Sequence, residues 1–246
     1  MIEVRELKKQ FGEVKAVDGV SFIANSSAIT GLLGPNGAGK TTTIRMIGTL
    51  VSIDSGQISI DGVDVTTDPD GARRACGLLT DSRGVYTRMT ARENIRYYAA
   101  LRGIDSARSE KVLARFVDWL DMKEIIDRRT DGFSQGERMK VTIARALIHE
   151  PANVILDEPT NGLDVMSTRA LRELIKRLKA DGQTVMFSSH VMQEVAALCD
   201  EIVIIAHGRV TAQGSTAELL ALSGKDNLED AFVALADIDG THREAA

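Results

Sequence analysis

Ala28-Ile29-Thr30-Gly31-Leu32-Leu33 runs straight into Gly34-Pro35-Asn36-Gly37-Ala38-Gly39-Lys40-Thr41, with Thr42 next in line. The first six residues have the length and apolar content of a buried strand, and from Lys40 the pattern turns helical. Between them the glycines let consecutive backbone N–H groups converge on one point, with the positive end of a helix dipole behind them. The spacing fits GxxxxGK[ST], and a strand before it and a helix after it supply the context that this loop requires. Residues Gly34, Pro35, Asn36, Gly37, Ala38, Gly39, Lys40, Thr41 and Thr42 are therefore expected to hold the phosphates of a nucleotide. Lys40 would reach the β- and γ-phosphates, and the Thr41 hydroxyl would coordinate Mg²⁺.

Outward from this loop, strand-like and helix-like segments alternate, which predicts an α/β fold with a largely parallel central sheet. Strands are expected at 2–7, 17–23, 28–33, 57–60, 77–80, 154–156, 184–188 and 201–205. Helices are expected at 40–50, 165–180, 191–199, 215–222 and 227–236, and a helical lobe from 90 through 148 interrupts the sheet. Inside that lobe Val112, Arg115, Phe116, Trp119 and Leu120 recur at helical spacing, with the arginine free to snorkel. The 246 residues read as one domain: a core from 1–81 plus 146–214, a helical subdomain at 82–145 and a helical tail at 215–246, frayed after Asp237.

The formal net charge of −5 argues against a nucleic-acid backbone as the partner, since that binding rests on clustered Lys and Arg. The pairs Arg73-Arg74 and Arg128-Arg129 read as solvated surface. Cys76 and Cys199 have no metal-site or CxxC spacing, so a reduced compartment fits. The start, MIEVRELKKQF, has no apolar signal region, and no apolar run approaches the roughly 20 residues of a membrane span. A cytoplasmic protein is expected, and any membrane role must pass through a partner.

Val154-Ile155-Leu156-Asp157-Glu158 is an apolar strand that ends in two carboxylates. Alone, such a pair is an ordinary solvated strand end. In a chain with the phosphate loop, Asp157 at the strand tip is placed to bind Mg²⁺ and Glu158 to polarise a water for attack on the γ-phosphate.

With these motifs in order, the chain resembles the ABC ATPase family over nearly its whole length. Phe133-Ser134-Gln135-Gly136-Glu137 is similar to the family's signature segment, and in isolation would be only a helix start capped by Ser134. Asn161-Gly162-Leu163-Asp164 resembles the D-loop, His190 in Ser188-Ser189-His190 the switch histidine, and Phe11 the aromatic that stacks on adenine. The resemblance implies an ABC-type P-loop NTPase fold: a mixed, largely parallel sheet, an N-terminal antiparallel β subdomain and an inserted helical lobe. It implies ATP hydrolysis with Glu158, His190 and Lys40 in the catalytic roles and with Thr41, Asp81 and Asp157 about the Mg²⁺. Ser134, Gln135, Gly136 and Asp164 would meet the nucleotide of a second copy of the chain, in a homodimer closed around two ATP.

Two departures stand out. Asp81 occupies the place of the Q-loop glutamine, with shorter reach and a different charge, and the signature carries Gln135 for Gly and Glu137 for Gln. Residues 82–86, Glu93-Asn94-Ile95, the FSQGE variant and the tail around Leu228, Phe232 and Leu235 look most like bacterial exporters whose transmembrane permease is a separate chain, such as sodium-extrusion and drug-resistance systems. The lobe is where relatives meet the coupling helices of that partner. A non-transport ABC ATPase working on ribosomes or DNA is the competing reading, and the acidic balance disfavours it. A GTPase is less compatible, because no NKxD-type motif is present.

Overall fold

The computed structural model describes residues 1–80 and 84–236. In chain order the elements are β1 (Ile2–Phe11), β2 (Val14–Ala24), β3 (Ile29–Leu33), α1 (Lys40–Ile47), β4 (Ser55–Ile60), β5 (Val63–Asp64), α2 (Pro69–Ala75) and β6 (Cys76–Leu79). Then come α3 (Ala91–Leu101), α4 (Ser106–Trp119), α5 (Gln135–Leu147), β7 (Asn153–Leu156), α6 (Val165–Ala180), β8 (Thr184–Ser189) and α7 (Met192–Leu198). The last four are β9 (Glu201–Ala206), β10 (Arg209–Gly214), α8 (Thr216–Ser223) and α9 (Leu228–Ala236).

Two sheets form. The larger has the order β10-β9-β3-β8-β7-β6, parallel from β9 to β6, with β10 antiparallel at its edge. The smaller has the order β2-β1-β4-β5 and is antiparallel. The expected α/β class, N-terminal antiparallel sheet and inserted helices are all present.

The central strands are apolar on consecutive residues because both faces of the larger sheet are covered. Val154 and Leu156 of β7, Val185 and Phe187 of β8, and Ile202 and Ile204 of β9 face one core, with lobe residues such as Ile95, Phe116 and Ile143 and with Leu174 of α6. Their neighbours Ile155, Met186, Val203 and Ile205 face the other, against Ile44 and Ile47 of α1 and Ile2, Val4 and Phe22 of the smaller sheet. Burying each such side chain contributes about 1.5–3 kcal/mol. β3 ends at the β3–α1 loop beside the C-terminal ends of its parallel neighbours.

Helix starts in the lobe are set by their caps. Thr90 with Glu93 and Ser134 with Glu137 form capping boxes at α3 and α5, and Asp105 caps α4. Several boundaries differ from expectation. Helix α1 stops at Ile47, not residue 50, because Gly48 ends it and Thr49 turns to φ +58°. Strand β1 continues to Phe11, which pairs with Val14 of β2. Helix α2 was not expected: at seven residues it shows no readable period, and its start is marked by Asp68 accepting from the Gly71 amide at 2.8 Å and by Pro69 at its first position. Strand β10 also escaped the reading, since its residues are largely polar and pair at an edge.

Candidate active site

The β3–α1 loop is shaped by close approaches that exclude side chains. A Cβ on Gly34 would lie 2.2 Å from the Ile205 carbonyl oxygen. One on Gly39, at φ +104°, would lie 2.5 Å from that of Ala16. The loop is tied to both sheets: the Gly208 amide donates to the Ala38 carbonyl at 3.0 Å, and the Asp18 amide donates to the Gly208 carbonyl at 2.8 Å. Helix α1 starts at Lys40 with no side-chain cap on its N-terminal amides. Its first N–H groups are thus left for an anion.

Beside the loop lies a cavity of about 550 Å³. Residues 36–42, Val14, Lys15 and Ala16 of β2, His207 and Gly208 before β10, and Glu158 line it. The motif residues meet there. Lys40 is buried, its ammonium donating to the carbonyls of Gly34 at 2.7 Å and Pro35 at 3.2 Å and lying 3.3 Å from Glu158 Oε1. The Thr41 hydroxyl donates to Asp157 Oδ1 at 3.2 Å. That pair, a hydroxyl and a carboxylate, is the oxygen-only donor set that suits Mg²⁺ completed by water and substrate phosphates.

Glu158 follows the tip of β7 with φ +44°, a left-handed conformation that a non-glycine residue holds only at a cost. Its Oε2 is 2.9 Å from His190 Nδ1, just past the end of β8. A carboxylate only accepts, so Nδ1 carries the proton of this bond. His190 and Lys40 therefore approach the two oxygens of one carboxylate.

Two connections were not visible in the sequence. The Ser188 hydroxyl donates to Asp157 Oδ1 at 2.7 Å and accepts from the Glu158 amide at 2.8 Å, so one buried serine of β8 positions both acids. Its signal, one of three hydroxyl residues in the strand TVMFSS, is weak. The Thr160 hydroxyl donates to Glu194 Oε2 at 2.7 Å, and Glu194, buried, also lies 3.5 Å from Arg172. This links the segment after Glu158 to the helix after His190.

The signature and D-loop residues form a separate cluster in the same chain. Ser134 caps α5, and Gln135 Nε2 donates to the Asn161 carbonyl at 3.5 Å. A Cβ on Gly136 would lie 2.6 Å from Ser167 Oγ, and Asp164 caps α6 by accepting from the Ser167 amide at 2.8 Å. That bond holds the Asp164 carboxyl below the usual carboxylate range. Neither Ser134, Gln135, Gly136 nor Asp164 lines the nucleotide-sized cavity. Phe11 does not line it either; it is half exposed at the end of β1, opposite Val14, which does. Asp81 lies outside the described residues.

Residues 17–161 match the sequence model of the ABC transporter family. The ABC transporter ATP-binding protein NatA of Bacillus subtilis (strain 168) is 40% identical over 242 residues, 95% of this chain and 97% of that protein. The linearmycin resistance ATP-binding protein LnrL of the same organism is 35% identical, over 93% of this chain and 73% of its own. A solved structure described as the ATP-binding subunit of an ABC transporter superposes with a TM-score of 0.88 at 30% identity, covering 96% of this chain and 99% of that one.

Proposed function

The chain belongs to the ABC transporter family as an ATP-binding, ATP-hydrolysing domain, and from that premise we propose that it is the motor subunit of an exporter, working as a homodimer on a separate transmembrane permease. The observation that carries this reading is the division of the site. Lys40, Thr41, Asp157, Glu158 and His190 are joined by direct contacts or through Ser188, while Ser134 and Gly136 sit in a separate cluster away from that cavity. A chain with one copy of each half completes a nucleotide site by borrowing the second half from a twin.

In this reading the loop amides and Lys40 hold the ATP phosphates, Phe11 stacks on the base, and Thr41 and Asp157 hold Mg²⁺. When bound, Mg²⁺ supplies charge neutralisation on the phosphate oxygens. Glu158, aimed by His190, takes the proton of the attacking water. Ser134, Gln135, Gly136 and Asp164 of the second chain close over the γ-phosphate, and hydrolysis lets the two chains part, as in other γ-phosphate switches.

No described helix is long and apolar enough to cross a membrane, and in this reading the permease provides the transport path. The dimer would sit at the cytoplasmic face of the membrane. The cargo we propose is sodium ions or drugs: resistance to linearmycin is in the name of one relative, and the sodium assignment rests on the resemblance to sodium-extrusion systems. Purification of the full chain from detergent-solubilised membranes of its own cells tests this reading. It predicts a co-purifying protein with several apolar spans and ATP hydrolysis that Glu158→Gln abolishes. Recovery of ribosomes with no membrane protein would overturn it.

A further inference from the structure

Phe11, the residue expected to stack on the base, belongs to neither hydrophobic core and is 50% exposed at the last pair of the β1–β2 hairpin. An aromatic ring so placed turns freely unless something fixes it, and fixing it in advance removes an entropy cost of binding. Lys9 supplies that fixture. Alternation along β1 sets Lys9 and Phe11 on one face, and the Lys9 ammonium lies over the Phe11 ring, 5.4 Å from its centre.

Lys9 is itself anchored. It is buried, and its ammonium donates to Asp54 Oδ1 at 2.6 Å and to Ser52 Oγ at 3.2 Å, both in the segment before β4. Asp54 in turn is tied back to β1: its Oδ2 accepts from the Gln10 amide at 2.8 Å, and its own amide donates to the Lys8 carbonyl at 3.2 Å. The bond from Lys9, and after it that from the Gln10 amide, holds the Asp54 carboxyl below the usual carboxylate range. On the other side of Phe11 the Gln10 side chain donates to the Gly12 carbonyl at 2.7 Å. The chain on both sides of Phe11 is thus fixed while the ring itself stays exposed. Apolar side chains of similar size would serve the fold about as well as this ion pair, so stability alone does not account for a buried ammonium here. Its contact with the ring does.

We propose that Lys9, anchored by Asp54, is a positioning residue for nucleotide binding: it holds the Phe11 ring by one face so that the other stands ready for the base. The inference rests on the reading of Phe11 as the base-stacking residue and adds the group that orients it. Neither Lys9 nor Asp54 lines the cavity beside the phosphate loop, so their effect on the nucleotide passes through Phe11.

The test measures, on the full chain, the dissociation constant of ATP and the inhibition constant of inorganic tripolyphosphate, which carries the phosphates without a base. Lys9→Met should weaken ATP binding about fivefold, raise KM for ATP without a fall in kcat, and leave inhibition by tripolyphosphate as it was. Asp54→Asn, which keeps Lys9 but loosens its anchor, should act in the same direction and less strongly, and Lys9→Arg, which keeps the cation, should bind ATP nearly as the wild type does. Phe11→Leu should weaken ATP binding about tenfold, and adding Lys9→Met to it should cost nothing more. Unchanged ATP affinity in Lys9→Met, an equal loss for ATP and tripolyphosphate, or a further loss in the Phe11→Leu background overturns the proposal. If Phe11→Leu itself binds ATP as the wild type does, the base-stacking reading fails and the positioning role falls with it.

Discussion

Lys40 Nζ lies 3.3 Å from Glu158 Oε1, so the cation proposed to meet phosphate and the carboxylate proposed to aim water are paired at the cavity that both line. The two residues should therefore fail differently. Lys40→Ala removes a phosphate contact and should weaken ATP binding and lower turnover about 10²–10³-fold. Glu158→Gln keeps size and hydrogen bonding, so ATP should bind as before while turnover is lost. Calorimetric titration beside a phosphate-release assay separates them. Equal loss of ATP affinity in both variants would show that Glu158 is a binding residue and not the base.

Ser188→Ala deletes one hydroxyl that serves both Asp157 and Glu158. The acids remain but lose their common support, so turnover should fall about 10- to 100-fold, with Mg²⁺ dependence shifted to higher concentration. Ser188→Thr, which keeps the hydroxyl, should recover part of the activity. A magnesium titration of the steady-state rate reads both effects.

Two loop glycines offer a contrast in stability. Gly34→Ala drives a Cβ into the Ile205 carbonyl and should destabilise the fold by about 1–3 kcal/mol through overpacking. Gly37, at φ +83° with open space around it, should cost only about 1 kcal/mol of backbone strain when changed to alanine. Thermal melts of the two variants should differ in that order.

His149 is held neutral. Its Nε2 faces the Cys76 carbonyl at 3.2 Å, and burial followed by the charge of Arg102 lowers its pKa from 6.5 to about 4. The unfolded chain then binds a proton between those values and the folded chain does not, so stability is complete above pH 6.5 and falls as the pH drops toward 4. The loss should be about 2 kcal/mol over that window, allowing for partial solvent access. Chemical denaturation from pH 7 to 4.5 should show it, and His149→Gln should flatten that part of the profile.

The residues legible in the sequence are those whose chemistry is local. The loop at 34–42 stands out by its own spacing and Asp157-Glu158 only in company with that loop, while Ser134 reads as a cap because its partner Glu137 is three residues on. Ser188 and the Thr160–Glu194 bond were hidden because their partners are about 30 residues away in sequence and are brought together only by the parallel pairing of β7 with β8 and the segments that follow them.

Whether one nucleotide is held by two chains is tested most directly by sedimentation of the Glu158→Gln variant. With Mg²⁺ and ATP it should sediment as a dimer, revert to monomer with ADP, and stay monomeric with ATP when Ser134→Arg is added. A monomer at every ATP concentration that saturates binding, or a dimer indifferent to Ser134→Arg, would contradict a site shared between two copies.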